Sequence, residues 1–226
     1  FNKIIATKLY KEPANEAFVD QNFYNCVVDA YNSTNRTNLS YTTNLTDEQL
    51  KSITILGCSA KKISKLDGIE KLTSLTYLSV SQNNLSELDL SQNTALTELI
   101  VQYNNLSELD VTQNTELTKL NVEYNNLNKL DLSKNTMLAY LNVTSNNLGE
   151  LDVSQNVSLS YLNIYDNNLS ELNLSRNILL TYLSVTNNNL STLDVSKNTA
   201  LQTLFIGVNK LSELELSQNT FLTSLS

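Results

Sequence analysis

The hydrophobic positions of this chain recur at a fixed interval over most of its length. Seven units of 21 residues run from Leu75 to Phe221, preceded by a 22-residue unit from Ile53 and followed by a truncated eighth. Near the start of each unit, as in Leu-Thr-Tyr-Leu-Ser-Val, apolar and polar residues alternate, which is typical of a strand with one buried face. The pattern predicts an array of stacked coils over residues 53–226, each contributing one strand to a continuous core.

Two columns of asparagine keep the same interval. The first follows each predicted strand, at Asn83, Asn104, Asn125, Asn146, Asn167, Asn188 and Asn209. The second lies in the other half of each unit, at Asn93, Asn114, Asn135, Asn156, Asn177, Asn198 and Asn219. We expect the first column to bond backbone groups of its own and the neighbouring coil. The second half-unit lacks the 3.6-residue period of a helix, so it should be extended or turn-like.

Residues 1–52 follow another pattern and predict a helical N-terminal cap over the open end of the array. Asp20 is a candidate N-cap, and the segment Thr46–Gln49 fits a capping box before a second short helix. The apolar positions at helical spacing are Phe23, Cys26, Val27, Ala30 and Tyr31. Such a cap shields core leucines and an unpaired strand edge from water.

The repeated motif, L-x-x-L-x-V-x-x-N-x-L, resembles the leucine-rich repeat family. The cap and the first repeats resemble those of internalins and related surface proteins of Gram-positive bacteria. The resemblance implies a repeat solenoid with a parallel β-sheet on its concave face and a turn-like convex side. It also implies a secreted or cell-wall-attached protein without enzymatic activity, whose concave face binds a protein or glycan ligand, such as one on a host cell. A rigid acidic spacer that presents another domain is the alternative.

The two cysteines leave one structural choice open. One 21-residue-repeat member of this group carries a cysteine ladder in the inward column that Val80, Val101 and Val122 occupy here. In this chain only Cys58 has cysteine in that column. Cys26 lies on the apolar face of the predicted cap helix. Both positions suit a free buried thiol, which we expect, and a disulfide between them is the alternative.

Composition and charge exclude several classes of function. The chain has no histidine and only two cysteines, so common catalytic pairs and thiolate metal cages cannot form, and we expect no metal and no cofactor. Residues 75–226 carry six Lys or Arg against fifteen Asp or Glu. This acidic surface repels phosphates, and no apolar run is long enough to span a membrane. We expect a monomer with no nucleic-acid partner and no membrane insertion. A leader is absent before Phe1, and the last strand is incomplete, so we expect the natural protein to extend further.

The outward positions of the predicted strands are the candidate binding residues. Seven of the eleven tyrosines fall there, and tyrosine offers a large contact area with little side-chain entropy to lose. The candidates are Tyr77, Tyr103, Tyr124, Tyr140, Asn142, Tyr161, Asn163, Tyr165, Tyr182 and Phe205. Four of these tyrosines, in three successive coils, should converge without a nearby Lys or Arg and stack on sugar rings or accept apolar side chains. Support of the sheet alone is the other interpretation.

An acidic column also repeats in the second half-units. Its members are Asp89, Asp110, Asp131, Asp152, Asn173, Asp194 and Glu215. A ladder of single carboxylates could bind cations, but single carboxylates in a row are poor calcium sites. We favour a solvated face whose short side chains bond the local backbone.

Overall fold

The structure, a computed structural model, describes residues 17–226 and confirms a leucine-rich repeat solenoid. One short strand from each coil joins a single nine-stranded parallel sheet, in the order of the chain. The strands are β1 (Ile55–Gly57), β2 (Tyr77–Ser79), β3 (Glu98–Ile100), β4 (Lys119–Asn121), β5 (Tyr140–Asn142), β6 (Tyr161–Asn163), β7 (Tyr182–Ser184), β8 (Thr203–Phe205) and β9 (Ser224–Leu225).

The register of the sheet superimposes equivalent residues of successive units. Leu78 pairs with Leu99, and Leu99 with Leu120, so the central leucine of each strand lies directly beside the next. These side chains are fully buried, whereas the residues before them are half-buried on the outer side. We call that outer side, formed by the first and third positions of β2 to β8, the strand face. The hydrophobic effect therefore sets both the register and the direction of every outward side chain.

The opposite half of each coil consists of turns, as predicted. In the unit that follows β2, the N–H of Asn93 donates to Leu90 O at 3.0 Å, and the N–H of Leu96 donates to Asn93 O at 3.2 Å. A short 3₁₀-helix, Ile69–Lys71, lies in the 22-residue unit. From residue 75 to residue 226 the chain forms no helix.

Two helices precede the first strand. Helix α1 (Gln21–Asn35) begins after Asp20, whose carboxylate accepts the N–H groups of Asn22 and Phe23, so the predicted N-cap is confirmed. Helix α2 (Asp47–Lys51) begins with the predicted capping box. The buried side chains of α1 are Phe23, Tyr24, Cys26, Val27 and Val28. The part of the predicted cap before residue 17 lies outside the described residues, and no helix within 17–226 is long and apolar enough to cross a membrane.

A disulfide joins Cys26 of α1 to Cys58, which directly follows β1, so the expectation of free thiols is wrong. Helix α1 packs against β1 and brings the two Cα atoms to 5.8 Å, within the range that a disulfide spans. Sequence alone could place each cysteine on an apolar face but not the two faces against each other. A second tie lies nearby, since the other carboxylate oxygen of Asp20 accepts the N–H of Ser64 at 2.7 Å and its hydroxyl at 3.0 Å.

Candidate functional site

Three tyrosines form a continuous stack on the strand face. Tyr140, Tyr161 and Tyr182 occupy the first position of β5, β6 and β7 and pair in register. The ring centroids of Tyr140 and Tyr161 are 4.3 Å apart with 7° between the planes, and those of Tyr161 and Tyr182 are 4.3 Å apart with 9°. The spacing of parallel strands thus places the rings almost parallel and in contact. We call these three residues the tyrosine ladder.

Each end of the tyrosine ladder is covered by a different group. Phe205, on β8, meets the ring of Tyr182 edge-on, with centroids 5.9 Å apart and 81° between the planes. At the other end, the ammonium of Lys119 lies 5.4 Å from the ring centroid of Tyr140, within reach of a cation–π contact. The same ammonium lies 3.7 Å from the carboxylate of Glu98. The prediction that no Lys or Arg lies near these tyrosines is therefore wrong, because the register places Lys119 directly beside Tyr140.

The stacking decides what the tyrosine ladder can offer a ligand. Both faces of the Tyr161 ring are covered, one by Tyr140 and one by Tyr182. Each ring therefore turns an edge, rather than a face, toward solvent. Sugar recognition by stacking needs an open aromatic face, whereas apolar and polar side chains of a protein can pack against ring edges.

Burial within the stack extends the pH range over which the three phenols are neutral. It raises the pKa of Tyr140 and of Tyr161, and it raises the pKa of Tyr182 to about 12, with the neighbouring Tyr161 adding to the effect. Loss of a proton would leave a phenolate against an aromatic ring and away from water, which is costly. The tyrosine ladder is thus an uncharged surface on an acidic protein.

A second aromatic pair lies just beyond the strands. Tyr103 and Tyr124 stack with centroids 4.4 Å apart and 9° between the planes, and they are 45% and 43% exposed. Both residues have positive φ values, 57° and 52°, as does every residue at this position in the seven full units. The alternating pattern predicts this column as an outward position of the strand. The left-handed backbone instead turns the chain toward the buried asparagine that follows.

The remaining candidates are placed differently from one another. Asn142 is only 5% exposed, its amide donates to the carboxylate of Glu123 at 2.7 Å, and its oxygen accepts the N–H of Thr144, so its polar groups are already bonded within the array. Asn163 is half-buried and its oxygen accepts the N–H of Tyr165. Tyr165 itself is 39% exposed, in the same coil as Tyr161. Tyr77 lies apart, since Glu98 and Lys119 separate it from the tyrosine ladder.

A groove with a volume of about 1440 Å³ lies along the second half-units. Leucines and two columns of carboxylates line it, including Asp110, Asp131, Asp152 and Asp194. Asp110 accepts the hydroxyl of Thr112 at 2.7 Å and its N–H at 2.8 Å, and these bonds lower the pKa of Asp110. Equivalent local bonds recur along the column, which supports the solvated-face interpretation. No group of three potential ligands for a metal ion is found within the described residues.

Comparisons with known proteins agree with this architecture. No family model matches the chain. Internalin J of Listeria monocytogenes serotype 4b (strain F2365) is 41% identical over 80 residues, which is 35% of this chain and 8% of that protein. The solved functional domain of InlJ from Listeria monocytogenes, which includes a cysteine ladder, is 36% identical with a TM-score of 0.60. That match covers 94% of this chain and 56% of the solved domain, so the chain spans little more than half of it.

Two further solved structures from Listeria monocytogenes str. 4b F2365 are similar. An internalin (inlF) is 26% identical with a TM-score of 0.69, over 94% of this chain and 70% of that one. Internalin C2 matches in fold, with a TM-score of 0.78 at 22% identity, over 95% of this chain and 96% of that one. The chain is therefore a leucine-rich repeat protein whose repeats and helical N-terminal segment are similar to those of internalins.

Proposed function

We propose that this chain is a secreted or surface-attached, non-catalytic module that binds a protein ligand on its strand face, centred on the tyrosine ladder. The observation that carries the proposal is the uninterrupted stack of Tyr140, Tyr161 and Tyr182 on three adjacent strands. Tyrosine is enriched among the residues that dominate binding energy, since a rigid ring contributes much contact area and a polar end.

The fold itself does not require tyrosine at these positions. The same column contains Glu98, Lys119 and Thr203, and the strands that carry them pair in the same register. Core leucines and buried asparagines meet the needs of every coil. A spacer would be expected to scatter its aromatic residues, whereas here they are contiguous on β5 to β7. Clustering therefore favours binding over the spacer alternative.

The geometry of the rings favours a protein over a glycan. The faces of Tyr161 are covered, and those of Tyr140 and Tyr182 are flanked by Lys119 and Phe205, so a sugar ring finds no open face in the tyrosine ladder. The edges and the half-buried phenols suit apolar and hydrogen-bonding side chains. The flanking pair of Lys119 and Glu98 adds one charge of each sign at one end. Such a neutral strip with a charged rim resembles the core and rim of protein interfaces.

The test is to probe a protein array and a glycan array with the labelled chain, and then to measure affinity for any bound molecule. The double substitution Tyr161→Thr, Tyr182→Thr introduces the residue that stands naturally at Thr203, so the coils should still fold. We expect a protein ligand whose affinity falls about 30-fold or more, the equivalent of about 2 kcal/mol.

The control is Tyr103→Gln, Tyr124→Ser, which breaks the other stacked pair with the residues found at Gln82 and Ser145 in the same column. This control should leave affinity within about threefold. Binding to glycans only, or a protein ligand lost in the control but retained in the ladder variant, would contradict the proposal. Circular dichroism and thermal melts of both variants show whether the array is intact.

A further inference from the structure

We propose a second interaction surface, separate from the strand face, that binds an extended acidic protein segment with apolar side chains. It lies on the turns that precede β5, β6 and β7. We call it the corner ridge, and its apolar members are Met137, Val157, Ile178 and Leu179. Their side chains are 48%, 41%, 56% and 54% exposed, respectively. None of them belongs to the set of outward strand positions that the sequence pattern selects.

The three turns of the corner ridge are stacked directly on one another. Each turn begins at an asparagine, whose backbone carbonyl accepts the N–H of the leucine three residues later at 3.1 to 3.2 Å. The side-chain amide of Asn156 donates to the backbone carbonyl of Asn135 at 2.8 Å, and that of Asn177 donates to Asn156 at 3.0 Å. Stacked coils lie about 4.8 Å apart, so Val157 and Ile178, each the first residue after its asparagine, lie side by side in an apolar strip. Met137 and Leu179 flank this strip at the second turn position, with Ser158 between them.

The fold does not need apolar side chains at these positions. The turn that follows Asn198 has the same hydrogen bond, from Leu201 N–H at 3.1 Å, yet it carries Thr199 and Ala200. Thr94 and Ala95 fill the same places near the start of the array. The array thus contains its own control, in which small or polar residues suffice. Four large apolar side chains on three consecutive turns expose apolar surface, and its burial by a partner would favour binding through the hydrophobic effect. Phe221 is also exposed and takes the position of Leu179 in a later turn, but the Thr199–Ala200 turn separates it from the strip.

Charge selects the kind of partner. Within the strongly acidic repeats, the residue just before the turn asparagine is basic at Lys134, Arg176 and Lys197. The positive charges of Lys134 and Lys197 are balanced by the carboxylates of Asp131 and Asp194 in the same coils. Each lysine helps to lower the pKa of its aspartate. The positive charge of Arg176 has no such carboxylate to balance it, because its coil has Asn173 where most coils have Asp.

Arg176 is exposed, lies two residues before Ile178, and makes no salt bridge within residues 17–226. The turn before β7 therefore presents a positive charge beside the two apolar side chains Ile178 and Leu179. A guanidinium beside apolar side chains is suited to a carboxylate flanked by hydrophobic residues. An extended segment that alternates Asp or Glu with Leu or Phe would match this surface, whereas a basic segment would meet Arg176 with like charge.

The probe is a fluorescein-labelled 12-residue peptide that alternates Glu or Asp with Leu or Phe, measured by fluorescence anisotropy with the full chain. Two comparison peptides replace the acidic residues by Lys, or the apolar residues by Ser. We expect saturable binding of the first peptide, binding at least about tenfold weaker for both comparison peptides, and a loss of affinity as salt is raised.

The variants use residues that the array already contains. Ile178→Thr, Leu179→Ala copies the Thr199–Ala200 turn, and Arg176→Gln copies Gln155, so all coils should fold. We expect the first variant to weaken binding about tenfold or more and the second about threefold. Tyr161→Thr should have no effect, which separates this proposal from the one for the strand face. Equal binding of the basic or serine peptide, unchanged affinity in Ile178→Thr, Leu179→Ala, or a loss only in Tyr161→Thr would overturn it. Thermal melts of each variant confirm that a loss of binding does not come from unfolding.

Discussion

The side-chain oxygen of Asn125 accepts the backbone N–H of Leu106, in the preceding coil, at 3.0 Å. Its amide nitrogen donates at 3.0 Å to the carbonyls of Val101 and Val122. One buried amide thus satisfies backbone groups of two coils at once. The asparagines of the second column act through their amide nitrogens only. The oxygen of Asn135, for example, has no partner among residues 17–226.

Replacing Asn125 by Ala should lower the free energy of unfolding by about 1–3 kcal/mol, because the substitution leaves buried backbone groups unpaired. Urea denaturation followed by circular dichroism measures the change. The control is the same substitution at the neighbouring exposed residue, Asn126→Ala, which should cost less than about 0.5 kcal/mol. An unchanged unfolding midpoint for Asn125→Ala would show that the column does not support the stack.

Val208 is a β-branched residue held at a φ of 55°, a conformation that favours Gly, Asn and Asp. The equivalent residue one coil earlier is Asn187, at a φ of 58°. Since Val208 is 73% exposed, its replacement loses little apolar burial. Val208→Asn should therefore stabilise the protein by about 1 kcal/mol. Val208→Thr keeps the branched Cβ and should not, so equal melting temperatures for the two variants would argue against backbone strain.

The tyrosine ladder should make stability depend on alkaline pH. Burial raises the pKa of Tyr182 to about 12, compared with an ordinary value of 10.0. Because this pKa is higher in the folded than in the unfolded state, the stabilising contribution of the neutral Tyr182 phenol is fully present below about pH 10. It is lost as pH rises through about 12. Urea denaturation at several pH values between about 9 and 12 measures this loss. Tyr182→Thr should show a smaller decline than the wild type, and parallel curves would contradict the assignment to this residue.

The disulfide between Cys26 and Cys58 encloses a sequence separation of 32 residues. Removing it by Cys26→Ala, Cys58→Ala should cost about 3–4 kcal/mol, mainly through the entropy of the unfolded chain. Thermal melts with and without a reducing agent provide the measurement. Reduction should lower the melting temperature of the wild type and leave that of the double variant unchanged. A wild type insensitive to complete reduction would show that the contacts of α1 and Asp20 hold the helix by themselves.

Much of the fold follows from the sequence because each coil repeats the same constraint. Leucines at the spacing of Leu75 and Leu78 become buried when the chain coils and the coils stack. The amide of Asn83 bonds backbone carbonyls of its own and the preceding coil, which requires that the two turns lie side by side. Both helix starts, at Asp20 and Thr46, are local devices and were predicted correctly. The alignment of Tyr140, Tyr161 and Tyr182 follows from the same period.

The rest depends on how side chains and elements meet in three dimensions. Packing between neighbouring strands sets the orientation of the tyrosine rings, the contact of Lys119 with Tyr140 and the burial of Asn142. The repeat pattern of the sequence does not specify this packing. The disulfide required α1 to lie against the first coil, a long-range placement. The sequence by itself determined the period, the core and the column of each residue, because these arise from local burial. Only the tertiary structure decided which surfaces remain open, because exposure results from the packing of all the coils together.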